Sequence, residues 1–362
     1  MDQQPAIKFT PEFLEQNPVV SVALMAFTLI FFAFIIGAVS SWVFLIIRAL
    51  HGKPMLPPEP WKPRVWGFVD ILVAVVFIIF WQFQSAIIGF KFLEIDHKAL
   101  AADPGSISLP FATISQLGNV AALLTICFWI AIRHRASLAQ LGFGFARWWK
   151  HIVIGVIAAL ASIPFVYALM TAVSVGFDNK YSHPLLDELK REGSLQAYLL
   201  VVVSAVLVAP LVEEFFFRVL IQGWLQSAPF GSIKSILLGQ REQPLLSVDS
   251  SSTELSLVPN QDNPYAPLSV TVTTLEPSDA VAETALLTPP IWPAVVTGTL
   301  FGLVHFEYGL SFIPLIFLGI ILGLLYRATH SIWPSLVVHF ILNGSSMLAL
   351  GISILVERAS QQ

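Results

Sequence analysis

The sequence predicts an all-α fold: a polytopic helical membrane protein with about eight transmembrane helices. Its 362 residues are 56% hydrophobic and 12% charged, and the mean hydropathy is +0.77. An ordinary soluble domain carries about 25% charged residues. The apolar residues are gathered into long stretches, and the ~10-residue alternating pattern of barrel strands does not occur. Because an open sheet edge cannot be satisfied in lipid, each stretch is expected to be a helix.

About eight apolar stretches are long enough to cross a hydrocarbon core of ~30 Å. They cover approximately residues 19–48, 65–90, 111–132, 151–175, 196–225, 290–306, 310–327 and 332–356. The sixth is short, and the sequence "FEYG" (Phe306 to Gly309) is all that joins it to the seventh. These two stretches are therefore predicted to form a tight helical hairpin.

The connections predict the orientation of the helices. Lysine and arginine concentrate in "RALHGKPMLPPEPWKPR" (Arg48 to Arg64) and "RHRASLAQLGFGFARWWK" (Arg133 to Lys150), and such basic loops face the cytoplasm. Arg327 lies in a third connection that the same count assigns to that side. The sequence thus predicts a multi-pass protein of a bacterial inner membrane with both termini outside.

A polar segment interrupts the apolar helices between about residues 229 and 290. It is rich in Ser, Thr and Pro, and such a composition cannot bury enough surface to offset chain entropy. Residues 229–289 are therefore predicted to be a disordered cytoplasmic insertion. Within them, "LSVTVTTL" alternates like a strand, but a single strand is expected to have nothing to pair with.

Charge and cysteine content exclude several classes of function. The net charge of −4 is small and spread over the loops, so no nucleic-acid partner is expected. The single cysteine, Cys127, lies inside an apolar run. It excludes an intramolecular disulfide and disfavours a Cys-ligated metal site or a thiol nucleophile.

Charged residues stand in the middle of the fifth apolar stretch, in "PLVEEFFFRVLIQGW" (Pro210 to Trp224). A charge at mid-membrane costs roughly 2.5–3.5 kcal/mol on insertion scales. Glu214 and Arg218 are four residues apart, so the pair can neutralise itself on one helix face. Glu213 lies about 100° round the helix and needs a partner from another helix. One interpretation is a purely structural ion-pair network.

Two later stretches add polar residues. His305 follows Phe301 by four residues in "TGTLFGLVHFEYG", and His339 precedes Asn343 by four in "SIWPSLVVHFILNGSS", so each pair shares a helical face. Polar groups on three helices at comparable depth must face one another, because none can face lipid. A single buried polar cavity is predicted.

The residue types in this cavity suit hydrolysis. A carboxylate and a histidine directed at one water form a general base, while a second imidazole and an amide can donate hydrogen bonds to an oxyanion. No GxSxG or SxxK stands at these positions, so water is the better nucleophile. A Glu/Glu/His/His metal centre and a non-enzymatic transporter or chaperone remain alternatives.

The ordered set "EEFFFR", "FGLVH" and "HFILN" resembles the motifs EExxxR, FxxxH and HxxxN of the CAAX protease and bacteriocin-processing (Abi) family of intramembrane glutamic endopeptidases, which includes type II CAAX prenyl endopeptidases. The resemblance extends through "GIILGLLYRATHSIWPSLVVHFILN" (Gly319 to Asn343) and covers residues ~195 to ~345. Gly319 and Gly323 fit close helix packing.

The resemblance implies a role for each motif residue. Catalysis would fall to two pairs: a water-activating pair, Glu213 and His305, and an oxyanion-stabilising pair, His339 and Asn343. Supporting residues would be Glu214, Arg218 and Phe301. The resemblance implies no metal and no other cofactor.

The resemblance also implies a division of the chain and a class of partner. Residues 1–195 would form N-terminal transmembrane helices, and residues 196–228 and 290–356 the catalytic helices. The substrate would be a membrane-associated peptide or protein, lipidated or not, reached from the cytoplasm. Since relatives with these motifs also act without proteolysis, a membrane scaffold, chaperone or immunity protein remains the alternative function.

Overall fold

The computed structural model describes residues 9–61, 63–93, 109–177, 189, 194–240, 255–258, 269–272 and 289–361. Over these residues the chain is predominantly helical, and seven of its helices are long and apolar enough to cross a membrane. The protein is therefore an integral multi-pass membrane protein of the all-α class, as the composition predicts.

The elements follow in chain order. The N-terminal half contains α1 (Pro11–Gln16), α2 (Pro18–Leu50), α3 (Phe68–Phe92), α4 (Leu109–His134) and α5 (Trp148–Gly176). A continuous helical run, α6 (Leu195–Phe230), comes next, with the short α7 (Ile233–Leu238) after it. The chain continues with β1 (Leu255–Val258), β2 (Ser269–Val272), α8 (Trp292–Leu303), α9 (Phe312–Thr329) and α10 (Trp333–Ser360).

Helix α6 occupies the centre of the helix bundle. It contacts α4, α8, α9 and α10, while α3 pairs with α4, and α5 packs against α2, α9 and α10. Two apolar clusters flank α6: Phe215 belongs to one, together with Trp66 and Ile130, and Phe217 belongs to the other, together with Leu322. The segment that carries the glutamates is thus held from several sides by rigid helices.

Helices α8 and α9 form the predicted hairpin. Helix α8 has 12 residues, which span ~18 Å and are too few to cross the hydrocarbon core alone. A 3₁₀ turn (Phe306–Ser311) leads into α9. A Cβ added to Gly319 would lie 2.7 Å from the carbonyl oxygen of Gly298, so the two backbones touch. This contact confirms the close packing expected at Gly319.

Substitution of Gly319 by leucine is expected to push α8 and α9 apart. Overpacking of a close contact costs about 1–3 kcal/mol, so the midpoint of thermal unfolding in detergent should fall. Gly176→Leu is the matched control, because a Cβ at Gly176 would meet no atom within 4 Å. Equal unfolding midpoints for the two variants would contradict the proposed packing role of Gly319.

Three basic connections meet at one end of the bundle. Arg64 donates from Nη1 to the carbonyl of Gln140 at 2.6 Å and from Nη2 to the Tyr326 hydroxyl at 2.8 Å. Arg327 donates from Nε to the carbonyl of Pro289 at 2.7 Å. The loops that the sequence assigns to one membrane side therefore share one end, called here the basic end. That this end faces the cytoplasm stays a prediction.

The basic end also holds a half-buried, neutral histidine. His330 has a left-handed backbone (φ 52°) and lies between the spans, with its Nε2 3.2 Å from the carbonyl oxygen of Glu59. Because a carbonyl only accepts, Nε2 carries the proton. Burial, reinforced by the nearby positive charge of Arg64, lowers the pKa of His330 from 6.5 to about 3.

This lowered pKa predicts a loss of stability in acid. Between pH 6.5 and 3 the unfolded state binds a proton at His330 and the folded state does not. The free energy of unfolding should therefore fall as the pH drops through this window. His330→Asn removes the titrating group, and asparagine tolerates a left-handed backbone. Between pH 7 and pH 4 the unfolding midpoint should decline less in this variant than in wild type. Equal declines in the two proteins would contradict the lowered pKa of His330.

The start of the polar segment is folded, which corrects its predicted boundary. Helix α7 packs back on the bundle: the Trp224 indole donates to the carbonyl of Ile236 at 2.9 Å, and the Gln240 backbone N–H donates to Val65 at 2.6 Å. The boundary at residue 229 was wrong because the apolar run "SILL" lies within a segment that is polar on average. The folded part of the chain therefore extends at least to Gln240.

The expectation that the alternating strand has no partner was also wrong. Strand β2 pairs antiparallel with β1, with Leu255 opposite Val272 and Val258 opposite Ser269. The second alternating run, "LSLV", was not recognised as a strand. The other residues between 241 and 288, and with them the predicted disorder, lie outside the described residues.

Candidate active site

The backbone of α6 changes its hydrogen-bond register on both sides of the glutamates. Two π-helical turns, Val203–Val208 and Phe215–Gln222, flank the α-helical segment Ala209–Glu214. Pro210 lacks an N–H, so it cannot donate to a carbonyl of the preceding turn. Such π turns are frequent at functional sites. The sequence reasoning assumed a uniform α-helix and missed them, although Pro210 was a visible signal.

The proline leaves a carbonyl that Asn343 satisfies. In a π-helix the carbonyl oxygen of residue i accepts from the N–H of residue i+5. The Ala205 oxygen would therefore need an N–H at position 210, where proline has none. The side-chain amide of Asn343, on α10, donates to this oxygen at 2.8 Å instead. The bond uses one of the two N–H donors of Asn343 and fixes the direction of the other.

Glu214 and Arg218 form the predicted intrahelical ion pair, and both side chains are fully buried. Arg218 Nε lies 3.0 Å from Glu214 Oε2. The guanidinium also lies over the Phe301 ring at 5.4 Å, and Nη1 is 3.4 Å from the Thr297 hydroxyl. Arg218 Nη2 has no hydrogen-bond partner among the described residues. This pair ties α6 to α8 from behind the site.

Two supporting residues were missed by the sequence reasoning. Gln222 lies four residues after Arg218; its Oε1 accepts from Thr297 at 3.2 Å and its Nε2 donates to the Gly323 carbonyl at 2.7 Å. Both Gln222 and Thr297 are fully buried. The available signal was the spacing of Gln222 after Arg218, which continues the polar face of α6 by one turn.

His339 joins the two adjacent glutamates. Its Nδ1 is 3.2 Å from Glu214 Oε1, and its Nε2 is 3.7 Å from Glu213 Oε2. The partner that Glu213 was expected to need from another helix is therefore on α10. A carboxylate held by Arg218 accepts hydrogen bonds, so His339 Nδ1 carries a proton. The two imidazole nitrogens thus face the two carboxylates.

His305 lies just beyond α8 and not on its helical face, because α8 ends at Leu303. Its Nδ1 is nevertheless 2.8 Å from the carbonyl oxygen of Phe301, four residues earlier. This carbonyl only accepts, so Nδ1 carries the proton and Nε2 is the acceptor of the neutral ring. The Phe301 ring lies between His305 and His339, with centroids 5.2 and 5.6 Å apart.

One cavity of about 430 Å³ brings together the four residues that the sequence analysis assigned to catalysis. Its lining includes Glu213, His305, His339 and Asn343. The Glu213 side chain is 29% exposed, whereas Glu214 and Arg218 are 0% exposed and lie behind the cavity wall. The predicted single polar cavity is confirmed. The two glutamates have different environments, since one faces the cavity and the other is sealed in an ion pair.

A metal centre built from these residues finds no geometric support. Within the described ranges, no group of three or more His, Cys, Asp or Glu side chains is arranged to hold a metal ion. The predicted absence of a metal and of any cofactor stays a prediction.

Comparison with known families agrees with the motif resemblance. The family model "Type II CAAX prenyl endopeptidase Rce1-like" matches residues 195–240 and 280–345, under a third of the chain. The first matched segment includes α7 and ends at Gln240, the last residue described before the gap that follows α7. No curated protein and no solved structure gives a significant match.

Proposed function

We propose that the chain, in which residues 195–240 and 280–345 match the Rce1-like model of type II CAAX prenyl endopeptidases, hydrolyses a peptide bond inside the membrane with a water activated by Glu213. The observation that carries this proposal is the single cavity lined by Glu213, His305, His339 and Asn343. The family match supports a CAAX-type intramembrane protease.

Water activation is assigned to Glu213 and His305. Glu213 is the carboxylate open to the cavity, so it can take a proton from a water as that water attacks the substrate carbonyl carbon. His305 assists, because its proton is held on Nδ1 by Phe301 and its Nε2 can accept a hydrogen bond from the same water. The proton on Glu213 then passes to the leaving amine.

Oxyanion stabilisation is assigned to His339 and Asn343. Attack by water turns the carbonyl oxygen into an oxyanion that needs donors already in position. His339 Nε2 and the second N–H of Asn343 are suited to this, since His339 is oriented by Glu214 and Asn343 by Ala205. Glu214 and Arg218 hold His339 and do not react.

The proposed substrate is a membrane-associated peptide or protein that enters from the basic end of the bundle. The path from this end to the site is long, because the end of α6 at Phe230 lies roughly 25 Å from Glu213 along the helix. We propose that this end faces the cytoplasm of a bacterial inner membrane, as its arginines favour. None of the residues that line the cavity singles out a prenyl group, so lipidation of the substrate is left to experiment.

The test is cleavage of a panel of membrane-tethered peptides, with and without lipid chains, by purified protein in detergent. Wild type is expected to cleave at least one peptide with or without a chelator, and His305→Ala should be about 10²–10⁴-fold slower. His51→Ala, which changes an exposed histidine far along the chain, is the control.

The same panel separates the competing functions. Loss of cleavage on addition of a chelator would require a metal in the reaction. A folded wild type that cleaves no peptide but co-purifies with a membrane partner would favour the scaffold function.

A further inference from the structure

A chain of polar side chains crosses from α3 to α4 and ends in the active-site cavity. Gln82 Nε2 donates to the backbone carbonyl of Ser115 at 3.4 Å and to Asn119 Oδ1, and Gln82 Oε1 accepts from the Ser115 hydroxyl at 3.0 Å. Asn119 Nδ2 then donates to Gln116 Oε1 at 3.1 Å. Gln116 itself lines the cavity.

The Ser115 carbonyl fixes the orientation of the side-chain amides in this polar chain. Side-chain amide oxygens and nitrogens are assigned from their hydrogen-bond partners. A backbone carbonyl only accepts, so the Gln82 atom beside it must be nitrogen. That nitrogen also meets Asn119, whose facing atom must therefore be oxygen.

The same reasoning continues to the cavity. Since Asn119 presents its oxygen to Gln82, it presents its nitrogen to Gln116, and the Gln116 atom that receives this bond must be oxygen. The Nε2 group of Gln116, with two N–H donors, is what remains. This nitrogen has no protein partner among the described residues. It is not one of the fully buried unpaired atoms, so part of its surface is accessible. The donor group is thus accessible from the cavity.

A peptide in this cavity needs such donors. A helical peptide in lipid has its backbone bonds satisfied internally, and a peptide bond must leave the helix before water can reach its carbonyl carbon. The carbonyls released in this way cost free energy unless they find new donors. Gln116 is on α4, on the wall of the cavity that lies outside the segments matched to the family.

From this geometry we infer that Gln116 is a substrate-positioning residue, which donates a hydrogen bond from Nε2 to one backbone carbonyl oxygen of the peptide substrate. The inference rests on the proposed function and adds a contact from the N-terminal helices. Gln82 and Asn119 act through Gln116, because they hold its oxygen away from the cavity.

The experiment pairs variants of the protein with variants of the peptide. A tethered peptide that wild type cleaves is synthesised as a series in which one backbone carbonyl at a time is replaced by a thioamide, a weaker acceptor. Values of kcat/KM are measured for wild type, Gln116→Leu, Gln82→Leu and Thr125→Val. Gln82→Leu removes the residue that orients the amides, and Thr125→Val, which removes the 3.0 Å hydrogen bond from the Trp81 indole of α3 to Thr125 of α4, controls for the packing of these two helices.

A position-specific coupling is expected. At one carbonyl the thioamide should slow wild type about 5- to 10-fold, the effect of one neutral hydrogen bond. Gln116→Leu should show this loss on the unmodified peptide and no further loss at that position. Gln82→Leu should respond less than wild type, because the Gln116 amide is no longer oriented, whereas Thr125→Val should keep the wild-type response. If Gln116→Leu and wild type respond alike at every position, the inference fails while the proposed function stands.

Peptide binding separates the two hypotheses when cleavage is absent. Fluorescence anisotropy of the same labelled peptides with the same proteins reports affinity without turnover. If no peptide is cleaved but the position-specific loss appears in binding, the role of Gln116 stands and the proposed hydrolysis fails. If no peptide binds, both are overturned.

Discussion

Replacement of Glu213 by glutamine is expected to abolish peptide hydrolysis and to leave the stability of the protein unchanged. Glutamine has the same shape but cannot take a proton from water, and a general base contributes about 10²–10⁴-fold to the rate. The Glu213 side chain lies partly open to the cavity, 3.7 Å from His339 and outside the Glu214–Arg218 pair. Its removal therefore leaves no buried charge without a partner.

Glu214→Gln is the informative comparison, because it makes the same chemical change one residue along. It removes the carboxylate that pairs with Arg218 and orients His339, so both cleavage and the unfolding midpoint should fall. Glu307→Gln changes an exposed glutamate and is the control for both. Equal stability losses at 213 and 214 would contradict the different environments of the two glutamates.

Replacement of Arg218 by methionine is expected to give the largest loss of stability. The change leaves Glu214 fully buried without its cation, and breaking a buried pair from one side costs roughly 3–5 kcal/mol. The free energy of unfolding, measured by denaturant titration in detergent micelles, should fall by this amount. Activity should fall with it, since Glu214 orients His339.

The double variant Glu214→Leu/Arg218→Met tests whether the loss comes from an unpaired charge. Replacement of both members by apolar residues is often neutral or stabilising, so the double variant should recover most of the stability that Arg218→Met loses. It should remain inactive because His339 has lost its orienting partner. A double variant as unstable as Arg218→Met would instead indicate a packing role for the arginine.

Local spacing and the rule that polar groups avoid lipid were enough to predict much of the site. Glu214 and Arg218 pair because residues four apart share a helix face. The cavity follows because Glu213, His305 and Asn343 cannot face hydrocarbon. The α8–α9 hairpin follows from the four-residue spacer and from Gly319. Each of these inferences needs little tertiary information.

The remaining features depend on tertiary packing. Pro210 permits a π turn without requiring one, and its consequence, the bond from Asn343 to Ala205, joins residues 138 positions apart. The link from Thr297 to Gln222 and the contact of His339 with both glutamates likewise depend on how α8 and α10 pack against α6.

Two small elements, α7 and β1, were not predicted because the composition was averaged over a longer polar segment. Helix α7 lies at the edge of a polar segment, and its apolar residues gain a packing surface only once α3 and α6 are in place. Strand β2 was recognised by its alternation, but its partner β1 was not, because four residues are too few for the pattern to stand out.

Single-turnover cleavage in ¹⁸O-labelled water, with enzyme in excess over a tethered peptide, tests the central claim most directly. We expect wild type to place one ¹⁸O in the new carboxylate of the product during the first turnover, and Glu213→Gln to form no product. Unlabelled oxygen in that first product would identify a glutamate as nucleophile. Cleavage by Glu213→Gln at the wild-type rate would contradict water activation by this residue.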